Sequence, residues 1–285
     1  MRNASAALAG AEMAETQVPM RAAGSGLAAR VVVGLLLAVA AVALVWLGGW
    51  PFACLVAVGV SLIFREWGEM HGIPLPWQLV AIAAVLAASL FTQLGHPALA
   101  LGILAGAMLL VPAAARATGL KAGHWPASGL LYAGLPAVAL IWLRQQPEGF
   151  ALVMWTMGIV WATDIFAYFA GRAVGGPKIW PAISPNKTWA GLIGGMKAAA
   201  IFAGLFAWGL GWPTHPLLYA LLGAGLAILA QAGDFFESWL KRRSGVKDSG
   251  TLLPGHGGIM DRVDGLVPVA CAVAFWVALS SGAVT

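Results

Sequence analysis

The stretch "VVVGLLLAVAAVALVWLG", residues 31–48, contains no charged side chain. As a helix, a run of about 18 apolar residues is long enough to cross the hydrocarbon core of a bilayer, which is about 30 Å thick. The whole chain of 285 residues has the same character, since it is 60% hydrophobic and only 9% charged, whereas soluble domains carry about 25% charged residues. Only helices and closed barrels satisfy the backbone inside lipid, so this composition predicts an all-α integral membrane protein.

Further apolar runs predict a polytopic bundle of about nine transmembrane helices, with Pro and Gly in the connections. The second run is short and is separated from the first only by Gly48 and Gly49. The Ala- and Gly-rich residues 1–28 contain no such run, and we expect them to form a mobile tail. The predicted spans are 31–48, 50–64, 77–94, 97–115, 127–143, 149–171, 188–211, 215–233 and 264–283.

The basic residues indicate the orientation of the bundle. With nine spans and the N-terminus inside, the inner segments hold all of the 16 Lys and Arg residues except Arg144 and Lys197. The positive-inside rule then predicts a cytoplasmic N-terminus. The net charge of +5 therefore faces the cytoplasm and anionic headgroups, and it does not indicate a nucleic-acid partner. The expected units are an N-terminal tail (1–28), about five N-terminal transmembrane helices (29–145) and a C-terminal transmembrane region (149–285) with cytoplasmic loops 172–187 and 234–263.

Acidic residues concentrate around these two loops. Charge near membrane depth is costly and by default marks a functional site, and loops that merely connect helices do not need such density. Six of the 11 acidic residues lie there, namely Asp164, Asp234, Glu237, Asp248, Asp261 and Asp264.

The first polar loop contains "ISPNKTWAG", Ile183 to Gly191. Ser184 and Pro185 suit a turn, and Asn186, Lys187 and Thr188 offer donors where the next helix is predicted to begin. A lysine beside a helix N-terminus suits a phosphate group, although a plain N-cap accounts for the same residues equally well.

Two charged side chains near this loop have alternative interpretations. Asp164 lies about two helical turns before Arg172, and it belongs either to a functional site or to a structural pair with Arg172 or Lys197. Lys197 lies about 13 Å along the next helix, where it either snorkels to the headgroups or lines a polar cleft.

The second loop follows a helix that is expected to leave the membrane through "GDFFESWLKRR" and to end at Ser244-Gly245. Its polar residues recur at spacings of three and four, so they share one face of the helix. These residues are Asp234, Glu237, Ser238 and Lys241.

Aspartates from three places are then expected to converge. Asp234 comes from a helix end, Asp248 from a loop, and Asp261 from the predicted start of the last helix, with Asp264 one turn later; favourable capping explains only one of them. Mg²⁺ prefers carboxylates, water and substrate phosphates, the glycines of "PGHGG" let the backbone approach a ligand, and neighbouring Lys and Arg neutralise phosphate charge. These residues predict a metal-dependent phosphoryl or nucleotidyl transfer site at the inner membrane face, without a GxxxxGK[ST] loop.

A long signature runs through this region. Its residues are Ser238-Trp-Leu-Lys241-Arg242, Lys247-Asp248-Ser-Gly250 and Leu253-Pro254-Gly-His256-Gly257-Gly258-Ile-Met-Asp261-Arg262-Val-Asp264. They resemble, without a break, the signature of the phosphatidate cytidylyltransferases, or CDP-diacylglycerol synthases. The segments "D..AY..GR" and "ISP.KTW.G", within 164–191, are also similar to that family, with Ala190 departing where many members carry a polar or acidic residue. Over the first 150 residues the resemblance is compositional.

The resemblance implies an enzyme of phospholipid biosynthesis in a bacterial-type inner membrane, with its site facing the cytoplasm. CTP and phosphatidic acid would give CDP-diacylglycerol and pyrophosphate with Mg²⁺, which a monovalent cation such as K⁺ would join. The resemblance also implies a homodimer formed through the transmembrane helices, whose small residues permit close packing.

The resemblance also implies roles for individual residues. Asp234 and Asp261, with Asp248, would hold the metal. The residues implied in catalysis are Asp234, Asp248, Asp261 and Lys247. The residues implied in substrate binding are Arg172, Ser184, Asn186, Lys187, Thr188, Ser238, Lys241, Arg242, His256, Gly257, Gly258, Arg262 and Asp264.

Three other classes of protein fit parts of the pattern. A CTP-dependent kinase of polyprenol-type lipids would share the membrane, the nucleotide and the metal, but it would release CDP rather than pyrophosphate. A CDP-alcohol phosphotransferase is disfavoured because its DGx₂ARx₈Gx₃Dx₃D pattern is absent. A transporter would show inverted repeats and charges at the membrane midplane, whereas the charges here cluster at one face.

Overall fold

The computed structural model describes residues 27–119, 123–250 and 257–282, which form ten helices and one β-hairpin. The predicted tail falls almost entirely outside the described residues, and α1 begins at Leu27. The helices are α1 Leu27–Leu47, α2 Gly49–Met70, α3 Leu75–Gln93, α4 Pro97–Ala117, α5 Trp125–Gln145, α6 Gly149–Val174, α7 Trp189–Gly209, α8 Pro216–Arg243, α9 Met260–Val263 and α10 Leu266–Gly282. The strands are β1 Lys178–Trp180 and β2 Ser184–Thr188.

Seven helices in the described part of the chain, α2 to α8, are long and apolar enough to cross a membrane. Two further apolar segments, Ala38–Leu47 in α1 and Leu266–Ser280 in α10, are shorter. The expected class, an all-α polytopic membrane protein, is confirmed. The count of nine spans and the side on which the N-terminus lies stay predictions.

The first polar loop differs from its prediction. Ser184 and Pro185 do not form the turn there, because they belong to β2, which pairs antiparallel with β1 through Lys178 opposite Thr188 and Trp180 opposite Ser184. The backbone turns before β2, where the N–H of Ile183 donates to the carbonyl of Trp180. The small hairpin holds Asn186 and Lys187 in an extended segment, so neither residue lies in the first turn of α7.

The second loop begins where it was predicted to begin but differs at its C-terminal end. As expected, α8 continues three turns past the apolar run and ends at Arg243, with Ser244 as its C-cap. Asp261 does not lie at the start of the last long helix, because it belongs to the separate short helix α9, with Asp264 as the C-cap of that helix.

Helix α5 is the centre of the bundle. It packs against α2, α3, α4, α6 and α10, and Leu130, Ala133, Ala137 and Ile141 along it are completely buried. The other helices are thereby arranged around it, which brings the ends of α2 and α8 to the same side of the bundle.

Helices α6, α7 and α8 pack in sequence order through small residues. A Cβ atom on Gly194 of α7 would lie 2.3 Å from the Cβ of Ala170 in α6, and one on Gly223 of α8 would lie 2.6 Å from the Cβ of Ala203 in α7. Small residues allow such close backbone approach in membranes. This packing fixes the hairpin, which connects α6 to α7, beside the C-terminal half of α8.

Candidate active site

The C-terminal half of α8 carries the charged centre of the molecule. Asp234, Glu237 and Lys241 follow one another at spacings of three and four, which places them on one face of the helix. Lys187, from β2, forms an ion pair with Oδ2 of Asp234. Nζ of Lys241 donates to Oε2 of Glu237 at 2.9 Å and to Oδ1 of Asp261 at 2.5 Å. The predicted shared face is therefore confirmed by its contacts.

Asp261 is the most densely hydrogen-bonded carboxylate of this centre. Its Oδ1 accepts from Lys241, while its Oδ2 accepts from the backbone N–H of Ser249 at 3.1 Å, from Oγ of Ser249 at 3.0 Å and from the N–H of Gly258 at 2.9 Å. Burial raises the pKa of Asp261, but the hydrogen bonds from Lys241 and from the N–H of Gly258 outweigh burial and hold the pKa well below its usual range. Asp261 is therefore an anion at neutral pH.

Asp264 lies in the opposite electrostatic environment. Burial raises its pKa to about 9, and the negative charges of Asp234 and Glu237 add to the effect. One oxygen of its carboxyl group accepts from the N–H of Gly265 at 3.0 Å. Because two anions lie nearby, Asp264 holds a proton at neutral pH unless a cation enters the site.

Gly257 and Gly258 shape the approach of the loop to Asp261. Gly257 has a φ of +78°, and a Cβ there would lie 2.8 Å from Oδ2 of Asp261. A Cβ on Gly258 would lie 2.0 Å from Oγ of Ser249. These two glycines therefore allow the backbone to lie close to Asp261 and Ser249, whereas their predicted approach to a ligand stays a prediction.

A polar pocket of about 590 Å³ opens between α6, the hairpin, α7 and α8. Asp164 of α6 lines it together with Arg172, Lys187 and Asp234, whereas Lys197 is not among the lining residues. Thr188 caps α7 by accepting from the N–H of Gly191 at 3.1 Å. The polar residues that line the pocket are Asp164, Tyr168, Arg172, Lys178, Asn186, Lys187, Thr188, Gln231 and Asp234.

The remaining predicted residues are less central. Arg242, Lys247, Asp248 and Arg262 are exposed, and Ser184 and Ser238 are half-buried. Asp248 nevertheless lies next to the centre, since a Cβ on Gly257 would be 3.9 Å from its Cβ. His256 lies outside the described residues. Lys197 is exposed on α7, among residues that do not line the polar pocket.

Reasoning from sequence did not identify two polar residues of this centre, Glu66 and Ser249. Glu66, at the end of α2, is only 5% exposed and accepts from Oγ of Ser249 at 3.0 Å. The predicted second span ends at residue 64, so Glu66 falls in the predicted connection to the third span. A carboxylate adjoining an apolar run was the available signal, but its partners lie more than 180 residues away in the sequence.

Only some of the carboxylate oxygens of this centre are available to bind a hard cation. Oδ1 of Asp234 and Oε1 of Glu237 are buried without a hydrogen-bond partner among the described residues, and carboxylate oxygens are the ligands that Mg²⁺ prefers. Both oxygens of Asp261 already accept hydrogen bonds. Within residues 27–119, 123–250 and 257–282, no three acidic, His or Cys side chains converge as a ready set of ligands. Asp234 therefore fits a cation directly, and Asp261 fits one on release of a donor such as Lys241.

The fold and this charged centre are typical of a membrane-embedded enzyme of phosphate chemistry, because carboxylates, lysines and a polar pocket of about 590 Å³ lie together in a helical bundle. The chain matches the sequence model of the Cytidylyltransferase family over residues 28–280 and belongs to that family.

Curated relatives carry a more specific name. The phosphatidate cytidylyltransferase of Brucella abortus is 42% identical over 86% of this chain and 91% of its own length. The phosphatidate cytidylyltransferase of Pseudomonas aeruginosa is 39% identical over 81% of this chain and 90% of its own length. The enzyme of the same name from Bacillus subtilis is 39% identical over 53% of this chain.

Proposed function

We propose that the protein transfers the cytidylyl group of CTP to phosphatidic acid, giving CDP-diacylglycerol and pyrophosphate, at the cytoplasmic face of a bacterial inner membrane. The observation that carries this proposal is the meeting of Lys187 with Asp234 and of Lys241 with Asp261 around the end of α8. Lys187, Lys241 and Asp261 belong to the segments that resemble the family, and the relatives named above support the substrates.

The reaction needs a nucleophile, an electrophile and a leaving group held in line. A phosphate oxygen of phosphatidic acid attacks the α-phosphorus of CTP, and the bond from that phosphorus to the bridging oxygen of the β-phosphate breaks. The electron pair of that bond leaves with pyrophosphate. A phosphate monoester has a second pKa of about 6, so its oxygen is already anionic at neutral pH and no general base is required.

Different residues of the chain would bind the phosphate groups and position Asp261 in this reaction. Arg172, Lys178 and Lys187 line the polar pocket, and they would neutralise phosphate charge there. Lys241 holds Asp261 in place beside the loop that carries Lys247 and Asp248. The lipid keeps its tails in the bilayer, and the nucleotide arrives from water, so the two meet only at the membrane surface.

A divalent cation belongs to this proposal. Asp234 would hold Mg²⁺ through its unpartnered Oδ1, with Asp261 and Asp248 beside it, and a monovalent cation such as K⁺ would share the acidic site. When bound, Mg²⁺ stabilises the negative charge that accumulates on the transferred and leaving phosphates.

A homodimer is the proposed assembly. An apolar groove of about 580 Å³ runs along the outer surface of α8, and it offers a surface for a helix of a second copy in the membrane. The groove is lined by Leu218, Leu221, Leu222, Gly225, Leu226, Ile228, Leu229 and Ala232.

The choice of acceptor tests the proposed reaction. Detergent-solubilised protein is incubated with Mg²⁺ and CTP labelled in the cytidine, with phosphatidic acid or a polyprenol as acceptor. Transfer of label to the lipid phase with phosphatidic acid, and release of one pyrophosphate for each lipid formed, is expected. Release of CDP in the presence of the polyprenol would instead establish a lipid kinase and overturn the proposal.

A further inference from the structure

Glu66 is a buried carboxylate of the N-terminal half that reaches the loop before α9. It lies in the last turns of α2, and its side chain makes three hydrogen bonds to residues of the C-terminal half. Its Oε1 accepts from the N–H of Ile259 at 2.7 Å, and its Oε2 accepts from the N–H of Met260 at 2.9 Å and from Oγ of Ser249 at 3.0 Å. None of these contacts belongs to the helix that carries Glu66.

The hydrogen bonds from the N–H groups of Ile259 and Met260 to Glu66 cap the N-terminus of α9. The first amides of a helix have no partner within the helix, and a side chain at the N-cap position usually satisfies them. In α9 the N-cap residue is Ile259, whose aliphatic side chain cannot accept a hydrogen bond. Glu66 supplies the missing acceptor from 193 residues away, and a carboxylate there also suits the helix dipole.

The third contact connects Glu66 to Asp261. Oγ of Ser249 lies 3.0 Å from Oε2 of Glu66 and 3.0 Å from Oδ2 of Asp261. A hydroxyl group has one proton, so Ser249 donates to one carboxylate at a time, while its backbone N–H continues to donate to Asp261. Glu66 and Asp261 therefore both hold Ser249 in position, and Ser249 in turn helps to position Asp261.

Two glycines make the space that Glu66 occupies. A Cβ on Gly250 would lie 2.7 Å from Oε1 of Glu66, and one on Gly258 would lie 2.5 Å from Oε2. A side chain at either position would displace the carboxylate. The loop is thus shaped around Glu66 as well as around Asp261.

We propose that Glu66 is a positioning residue of the active site. It fixes Ser249 and the N-terminus of α9, and so holds the carboxylate of Asp261 where Lys241 and the substrates require it. The effect on catalysis rests on the proposed function, whereas the effect on the order of the loop does not. The N-terminal helices would accordingly supply a side chain that the reaction depends on.

The test compares Glu66→Gln with Glu69→Gln. Glutamine keeps the size of the side chain, but its NH₂ group cannot accept from Met260 or Ser249. Glu69 lies one turn further along α2, where it is exposed and pairs with Arg65, so its replacement changes the same charge on the same helix. Kinetics with CTP and phosphatidic acid are measured for both variants, together with hydrogen exchange of the peptides that cover 245–250 and 257–264.

In Glu66→Gln we expect kcat to fall about 10- to 100-fold, as is common when a residue that orients a ligand-binding side chain is replaced. KM for CTP should change much less than kcat, because the substrate-contacting groups remain. The amides of Ile259 and Met260 should exchange faster, and Glu69→Gln should match the wild type in every measurement. Combining Glu66→Gln with Ser249→Ala should add little further loss, since both act through one connection.

Each other outcome has a definite meaning. Faster exchange with an unchanged kcat would overturn the role in catalysis, and a fall in kcat with unchanged exchange would overturn the positioning route. An effect of Glu69→Gln equal to that of Glu66→Gln would show that only the charge of α2 matters. If the wild type itself transfers no cytidylyl group, the proposed function fails, and the exchange data still decide whether Glu66 orders the loop.

Discussion

Replacing Lys241 with methionine removes the ammonium group that joins two buried carboxylates. Nζ of Lys241 lies 2.9 Å from Glu237 and 2.5 Å from Asp261, and the three side chains are only 15%, 2% and 13% exposed, respectively. Removing one partner of a buried ion pair costs about 3–5 kcal/mol, because the remaining charge is left uncompensated. Water reaches part of Lys241, so the lower end, about 3 kcal/mol, applies here. Since 1.36 kcal/mol corresponds to a tenfold change in rate, kcat/KM should fall by about 100-fold where this loss is expressed in the transition state.

The assay measures initial rates of CDP-diacylglycerol formation by purified wild type, Lys241→Met and Arg65→Met. The Arg65 pair with Glu69 is a suitable control, because its side chains are 60% and 57% exposed and exposed pairs contribute only about 0–1 kcal/mol. A thermal unfolding midpoint in the same detergent identifies variants that have lost their fold. Wild-type kcat/KM in a folded Lys241→Met protein would refute the reasoning, as would an equal loss in Arg65→Met.

Three further predictions follow from the same geometry. Gly258→Ala would place a Cβ 2.0 Å from Oγ of Ser249, and this overpacking should lower activity and lower the free energy of unfolding by about 1–3 kcal/mol. Gly102→Ala, where a Cβ meets nothing within 4 Å, should match the wild type in both measurements. Thr188→Ala removes the N-cap of α7 and should lower the free energy of unfolding by about 1 kcal/mol, which thermal unfolding would detect. Because the pKa of Asp264 is raised to about 9 from an ordinary value near 4, the folded state binds the extra proton and loses stability as the pH rises between these values. The thermal unfolding midpoint, measured in EDTA, should therefore fall less steeply with rising pH in Asp264→Asn than in the wild type. An equally steep fall in the variant would contradict the raised pKa of Asp264.

The helices were predictable because lipid imposes a single local rule. Runs such as 149–171 must be apolar for about 20 residues and must be helical, and α6 spans Gly149–Val174 accordingly. The spacing of Asp234, Glu237 and Lys241 is likewise local, so their shared face was readable before any contact was known.

Features that depend on distant contacts were not predictable in the same way. The hairpin at Lys178–Thr188 has no alternating apolar pattern, and it is fixed where α6, α7 and α8 pack together. Glu66 finds its partners in a loop far along the chain, and no spacing within α2 indicates them. The ion pair of Lys187 with Asp234 also joins segments that are close only after the bundle has formed.

Asp261→Asn tests whether cytidylyl transfer takes place at the carboxylates beside the end of α8. Asparagine keeps the shape, but it loses the charge that Lys241 and the N–H groups of Ser249 and Gly258 surround. The measurement is the incorporation of cytidine label into lipid in vesicles containing phosphatidic acid, with Glu69→Gln as the matched acidic control. We expect full incorporation in the control and a loss of at least about 100-fold in Asp261→Asn. Such a loss corresponds to about 3 kcal/mol or more of transition-state stabilisation. Incorporation by a folded Asp261→Asn protein at the wild-type rate would contradict this expectation.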